Sequence, residues 1–183
     1  MNEAGNLEGR IQYYPGIGTE GALNAEEYHK VYIGLGSNVA PSQNLVNGIS
    51  YLRQYVIVQR FSSVWETAPV PVVGPNYLNA AVLIKTHLSP IQLKSIILHR
   101  IEAQLGRIRN SNKNAPRTID LDILMYDNQL MDTKVWTQAF VAVPLAELIP
   151  DLTNPTTGET LRQVADRLAK STTVKRRPEI VLD

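Results

Sequence analysis

Cysteine is absent from the 183 residues, which excludes a disulfide frame, a thiolate nucleophile and a cysteine-ligated zinc. Aromatic residues are few, at 7% of the chain, and no RNP-type motif accompanies them. That argues against a sheet that stacks RNA bases. Charge of one sign is also lacking. The formal net charge is +1, so bulk charge excludes a strongly basic nucleic-acid binder. No apolar run approaches the ~20 residues needed to span a bilayer. The N-terminus carries Asn2, Glu3 and Glu8 rather than the basic and then apolar pattern of a signal peptide. A Gly-x-x-x-x-Gly-Lys-Ser/Thr loop is missing, so any ATP binding must rest on other cations and on metals. His29, His87 and His99 show no metal-ligand spacing among themselves, and surface positions account for them. The expectation is a soluble, cytoplasmic protein without a nucleic-acid, membrane or obligate protein partner. With 44% hydrophobic and 19% charged residues, the chain can form one domain with a real core.

The most informative stretch that is present runs from Asn114 to Leu124, Asn-Ala-Pro-Arg-Thr-Ile-Asp-Leu-Asp-Ile-Leu. Its second half alternates apolar and acidic residues, the period of a half-buried strand. Ile119, Leu121 and Ile123 face a core in that reading. Asp120 and Asp122 then share the other face, with Cα atoms roughly 6.6 Å apart. Asp is a poor strand former, and two neighbouring carboxylates repel unless a cation lies between them. Such a strand suits one or two hard divalent cations. Arg107, Arg109, Lys113 and Arg117 lie just upstream, a cluster suited to polyphosphate, so the combination points to nucleotide phosphoryl chemistry. The competing reading is an edge strand with a solvated acidic face beside an ordinary charged surface. As an exposed pair, either carboxylate should be removable at little cost in stability.

Residues 1–30 read as an extension with five of the eleven glycines. Residues 31–169 are well patterned. Val31–Gly36 reads as a strand ending in a Gly-Ser-Asn turn, and Pro41 opens a helix with the stripe Leu45, Ile49 and Leu52. A strand follows from about Val56 to Trp65, and three prolines and a glycine make Thr67–Pro75 a loop. Leu78–Lys85 is the next strand. Ser89-Pro90-Ile91-Gln92 is a capping-box start, opening a helix that buries Leu93, Ile97, Ile101 and Leu105 and stops at Gly106. After the Asp120/Asp122 strand come a helical piece near Leu145–Leu148 and a helix from about Glu159 to Leu168. The basic segment 170–183, with Lys175-Arg176-Arg177, is either a final strand or a loose, solvated tail. The order β-α-β-β-α-β predicts an α+β fold, a ferredoxin-like sandwich with helices on one sheet face and additional C-terminal helices.

The order and spacing of these motifs resemble the 6-hydroxymethyl-7,8-dihydropterin pyrophosphokinase family of folate biosynthesis, from about Val31 to Leu168. The run Pro116-Arg117-Thr118-Ile119-Asp120-Leu121-Asp122-Ile123-Leu124 carries most of it. Tyr32–Asn38, Glu66–Pro69, Tyr77–Ala81 and Glu102–Arg109 follow in the family's order. The resemblance implies transfer of pyrophosphate from ATP to a pterin alcohol, with ATP as co-substrate and two Mg²⁺ ions held by Asp120 and Asp122. It implies that Arg107, Arg109 and Arg117 grip the triphosphate, as planar forks do well, and that Glu102 belongs to the nucleotide half. Arg107, Arg117, Asp120 and Asp122 would together carry catalysis. On the pterin side it implies stacking on Tyr77 and Phe140, with Asn79 and Thr67 bonding the ring edge.

One departure stands out. The family usually has a longer loop after the metal strand, with a His-Pro pair and a further arginine. Here Thr133–Phe140 is short, holds neither histidine nor arginine, and has Val135 where a basic residue is frequent. The expectation is a weaker hold on ATP, unless Lys134 or the run Lys175-Arg176-Arg177 compensates. Two rivals are a non-catalytic pterin- or nucleotide-binding relative, favoured by the short loop, and an RNA-binding ferredoxin-like domain.

Overall fold

A computed structural model describes residues 27–69, 74–108 and 115–182. The proposed extension up to residue 26 therefore lies outside the described residues, as do Arg109 and Lys113.

The sheet is built on β1 (His29–Ser37), whose alternation sends Val31, Ile33 and Leu35 to one face and Tyr32 to the other. β1 pairs antiparallel with β4 (Tyr77–Thr86) along its whole length and, on its other side, with β5 (Asp120–Tyr126). With β2 (Ile57–Phe61), β3 (Trp65–Thr67), β6 (Gln129–Leu130) and β7 (Val174–Arg176), the strand order is β6-β5-β1-β4-β3-β7, and β2 also pairs with β4. The expected ferredoxin-like α+β architecture is thus the observed one. The expected single strand 56–65 is two strands, β2 (Ile57–Phe61) and β3 (Trp65–Thr67). The break lies at Ser62, which is buried and holds Ala81 of β4 twice. Its backbone N–H donates to the Ala81 carbonyl at 2.9 Å, and its hydroxyl accepts from the Ala81 N–H at 2.8 Å. With a hydroxyl replacing a ladder bond, the chain leaves the β2 register and re-enters as β3.

Helices cover both faces rather than one. On the first face lies α1 (Pro41–Leu52), with Leu45, Ile49 and Leu52 at most 1% exposed. Beside it runs a helical rod made of α2 (Pro90–Gln92), a π-helical stretch Leu93–Leu98 and α3 (His99–Gln104). The rod starts on the expected Ser89/Gln92 capping box, and the chain turns out of it at Gly106, where φ is +77°. Leu93, Ile97 and Ile101 are buried as the stripe predicts, whereas Leu105 is half-buried. Leu98, outside the expected stripe, is buried as well.

The second face is apolar because Tyr32, Ala81, Leu83, Leu124 and Met125 point there. It is covered by α4 (Ala139–Ala146) and α5 (Leu161–Ser171). α4 has the sequence Ala-Phe-Val-Ala-Val-Pro-Leu-Ala and is apolar all round, the mark of a helix packed on more than one side. α5 is amphipathic and opens on a Thr160/Gln163 capping box. The two helices leave uncovered the part of the sheet face where Gly34, Gly36, Asp120 and Asp122 lie. No helix among the described residues is long and apolar enough to cross a membrane.

The basic C-terminal segment contributes a strand. β7 (Val174–Arg176) pairs with β3, and Arg177 donates from Nη1 to Glu66 Oε2 at 2.6 Å. Asn76 donates to the other Glu66 oxygen at 2.9 Å. The Asn76 hydrogen bond, then that of Arg177, hold the Glu66 carboxyl below its ordinary range. A carboxyl depressed in the folded state stabilises the fold above its unfolded value, and that stability is lost as pH falls through the folded value. Glu66→Gln should therefore lower the urea midpoint at neutral pH, with the gap to wild type closing on the acid side of the carboxylate range. A gap of constant size at every pH would contradict this.

Candidate active site

Two glycines make the floor. Gly36 pairs with Asn79 of β4 on one side and Asp120 of β5 on the other, and Gly34 pairs likewise with Ala81 and Asp122. Across two strand spacings, Asn79 and Asp120 stand about 10 Å apart. A β-carbon at 36 would come within 3.3 Å of Asn79 Oδ1, and one at 34 within 3.2 Å of the Leu124 side chain. Glycine therefore keeps the floor low between a polar amide and a pair of carboxylates. Above it opens a cleft of about 430 Å³, the size of a small-molecule site.

The β4 side carries the residues expected to bind a flat heterocycle. Thr67 ends β3 and pairs with Tyr77 at the start of β4. Asn79 is 3% exposed, and its Nδ2 donates to Thr67 Oγ1 at 3.0 Å. That bond fixes the amide so that its orientation is set before a ligand arrives. Half-buried Tyr77 and, from α4, half-buried Phe140 also line the cleft. Thr67, Tyr77, Asn79 and Phe140 thus meet in one place although they come from three elements.

The β5 side carries the charge. Asp120 accepts from Arg107 at Oδ1 and from Arg117 at Oδ2. Arg107 is only 12% exposed at its side chain and also donates to Glu102 Oε1 at 2.5 Å. Burial lowers the Arg107 value, but the charge and hydrogen bond of Asp120, with Glu102 and Asp122, raise it overall, so it stays cationic. Glu102 is 1% exposed, and the same Oε1 accepts from the Leu121 N–H at 2.9 Å. Asp122 accepts from Lys94 Nζ at 2.7 Å, and Lys94 also donates to the Leu121 carbonyl at 2.7 Å. Burial pushes the Asp122 carboxyl up. The Lys94 hydrogen bond and charge, followed by the charges of Lys134 and Arg107, hold it below the ordinary range.

Asp120, Asp122 and Arg117 line the cleft directly, whereas Arg107 and Glu102 stand behind Asp120. None of the three histidines lines it. Lys94 and Asn38 escaped the sequence reading. Asn38 Oδ1 accepts from the Arg117 N–H at 2.7 Å, and the Asn38 N–H donates to the Arg117 carbonyl at 3.0 Å. Its neighbour Ser37, fully buried, donates to the Thr118 carbonyl at 2.5 Å. The Gly-Ser-Asn turn was the available signal, because its polar residues bond nearby backbone wherever a turn exposes it.

The segment after β5 is short and largely helical. It forms a 3-10 turn, Thr133–Trp136, that runs through Thr137 and Gln138 into α4. Val135 is fully buried under α4 and α5, which explains an apolar residue there.

The family model described as 7,8-dihydro-6-hydroxymethylpterin-pyrophosphokinase (HPPK) matches residues 32–150. A 2-amino-4-hydroxy-6-hydroxymethyldihydropteridine pyrophosphokinase of Synechocystis is 34% identical, the match covering 78% of this chain and 78% of that protein. One of Methylorubrum extorquens is 37% identical, over 78% of this chain and 95% of its own. Among solved structures, the wild-type HPPK-DHPS of Plasmodium falciparum with pteroate has a TM-score of 0.61 and 11% identity, and covers 79% of this chain. This chain spans 43% of that longer one, so the likeness speaks for the fold alone. Together the fold and the relatives define an ATP-dependent diphosphotransferase. The chain belongs to the 7,8-dihydro-6-hydroxymethylpterin-pyrophosphokinase family, whose reaction moves pyrophosphate from ATP to the pterin alcohol in folate biosynthesis.

The carboxylates are not the exposed, repelling pair expected from the strand pattern. Each is charge-paired, and Asp120 is the shared acceptor of two arginines. Asp120→Ala should therefore destabilise the fold, by about 1–3 kcal/mol, because it leaves half-buried donors without their acceptor. Asp122→Ala should cost less, since the Asp122 side chain is 44% exposed. Urea unfolding of the two variants checks the order, and equal losses would contradict it.

Proposed function

We propose that the pyrophosphate transfer of this chain runs in the cleft over Gly34 and Gly36, with the pterin on the β4 side and the triphosphate on the β5 side. The observation that carries this is the row Asn79–Gly36–Asp120 across three adjacent strands. It sets a fixed amide and a charged carboxylate about 10 Å apart on one continuous floor.

Tyr77 and Phe140 sandwich the pterin ring, while Asn79 and the Thr67 hydroxyl bond its edge. Arg117 reaches the triphosphate from the turn before β5. Arg107 acts with it, and Arg109 completes the set by resemblance, though it lies outside the described residues. Glu102 positions rather than binds, since it fixes both Arg107 and the backbone of β5. The pterin hydroxymethyl oxygen bonds to the β-phosphorus and releases its proton to solvent, the bond from that phosphorus to the α-β bridging oxygen breaks, and AMP leaves. The cleft achieves this mainly by alignment and charge, as phosphoryl-type transfer requires.

Asp120 and Asp122 fit magnesium: they are hard oxygen donors on one strand face, and both line the cleft. Bound there, Mg²⁺ would neutralise phosphate charge as the transfer proceeds. Among the described residues no group of three or more acids or histidines is placed to hold a metal ion together. Two carboxylates leave most of the coordination to phosphates and water, so Mg²⁺ should bind weakly without nucleotide and tightly with it. Titration calorimetry with and without a non-hydrolysable ATP analogue measures this, and tight Mg²⁺ binding in both cases would contradict it.

The reading is tested by AMP formation from ATP with and without the pterin alcohol. Asp120→Asn and Asp122→Asn should reduce pterin-dependent AMP release by at least about a hundredfold. Tyr77→Ala and Asn79→Ala should weaken pterin binding more than ATP-analogue binding, and Arg117→Ala should do the reverse. Variants that lose both ligands equally would dissolve the two-sided assignment.

A further inference from the structure

We infer that Lys134 is a phosphate-binding residue of this chain, gripping the nucleotide from the segment that follows β6. This rests on the reading that ATP lies over the β5 side.

Among the described residues, the cations lining the cleft are Arg117 and Lys134, set against Asp120, Asp122 and Asp132. Arg117 is committed to Asp120. Lys134 is held far less tightly. Its Nζ meets Asp132 Oδ2 at 3.4 Å, and its side chain is 56% exposed. An exposed pair of that length contributes little, so a phosphate can take the ammonium at small cost.

The backbone beneath it is fixed. Asp132 accepts the Lys134 N–H at Oδ1, 2.9 Å, and so caps the 3-10 turn. The next residue, Val135, is fully buried and pins the turn to the second core. A mobile, strongly hydrated ammonium thus projects from a rigid base into the cleft. Lysine serves a phosphate as such a point charge, with no fork geometry to satisfy. Chain order places it well. Arg117 enters just before β5, and Lys134 follows β6 (Gln129–Leu130), the hairpin partner of β5. Past β6 the chain turns back along β5, where the Met131 and Asp132 N–H groups both donate to the Leu124 carbonyl, so Lys134 stands beside the acidic strand that Arg117 precedes. The charge of Lys134 is also felt at Asp122.

The experiment compares wild type, Lys134→Ala, Lys134→Arg and Arg117→Ala. Calorimetry measures binding of a magnesium-loaded, non-hydrolysable ATP analogue, and a separate titration measures the pterin alcohol. Lys134→Ala should bind the analogue about ten- to a hundredfold more weakly, with pterin affinity unchanged within about twofold. Its analogue affinity should also depend less steeply on salt, because one phosphate contact is gone. Lys134→Arg should restore most of the affinity. An unchanged urea midpoint for Lys134→Ala would show that the loss is not one of folding. If Lys134→Ala binds the analogue as wild type does while Arg117→Ala is weakened, this inference fails and the site reading stands. If neither variant is weakened, the placement of ATP over β5 fails as well.

Discussion

Asp120 receives Arg107 and Arg117 on its two oxygens, and Arg107 rests in turn on buried Glu102. These contacts join three pieces of chain that are otherwise separate: the end of α3, the turn before β5 and β5 itself. Glu102 adds a bond to the β5 backbone at Leu121. The charged wall of the cleft is therefore a network, and its parts hold only while all are present. Such a network is expensive to desolvate. Lys94 does for Asp122 what the arginines do for Asp120.

The rest of the architecture gives that wall a stable frame. The first face of the sheet is a closed core in which Ile33, Leu45, Ile49, Leu93 and Ile101 are at most 1% exposed. The second is only partly covered by α4 and α5, and the uncovered remainder is the cleft. Two glycines on the central strand make the difference. The side chains that cover the second core at Tyr32 and Ala81 give way to bare backbone at Gly34 and Gly36. A rigid core on one side and an open floor on the other is what a site needs to hold functional groups in fixed positions.

Much of this was legible in the sequence. The period-two run Ile119–Leu124 gave the strand and its two faces, and Ser89/Gln92 and Gly106 gave both ends of the second helical rod. Thr67, Tyr77, Asn79 and Phe140 could be named by resemblance, and they converge on one cleft. What was not legible depends on contacts between distant residues. The run 56–65 has unbroken strand character, and only the pairing of Ser62 with Ala81 divides it. The residues of β7 are as basic as a solvated tail, and only the unpaired edge of β3 makes them a strand. The charge pairing of Asp120 and Asp122 needed Lys94 and Arg107, which are 28 and 13 residues away in sequence. The second helical layer followed from Tyr32, Leu83 and Met125 taken together, and no single strand pattern shows that.

The π-helical stretch Leu93–Leu98 has a consequence for how the site can vary. The His99 N–H donates to the Lys94 carbonyl five residues back, so this turn holds one residue more than an α turn would. An α-helix rotates about 100° per residue. Removing one residue here would leave α3 and Glu102 in place but swing everything before it by about that angle. Lys94 would leave Asp122, and Leu93 would leave the core. The extra residue thus acts as a phase setting between two halves of one helix, one half serving the hydrophobic interior and the other the charged wall. Local insertions and deletions in a rod far from the cleft mouth can in this way retune the charge at its floor without changing a single residue that lines it.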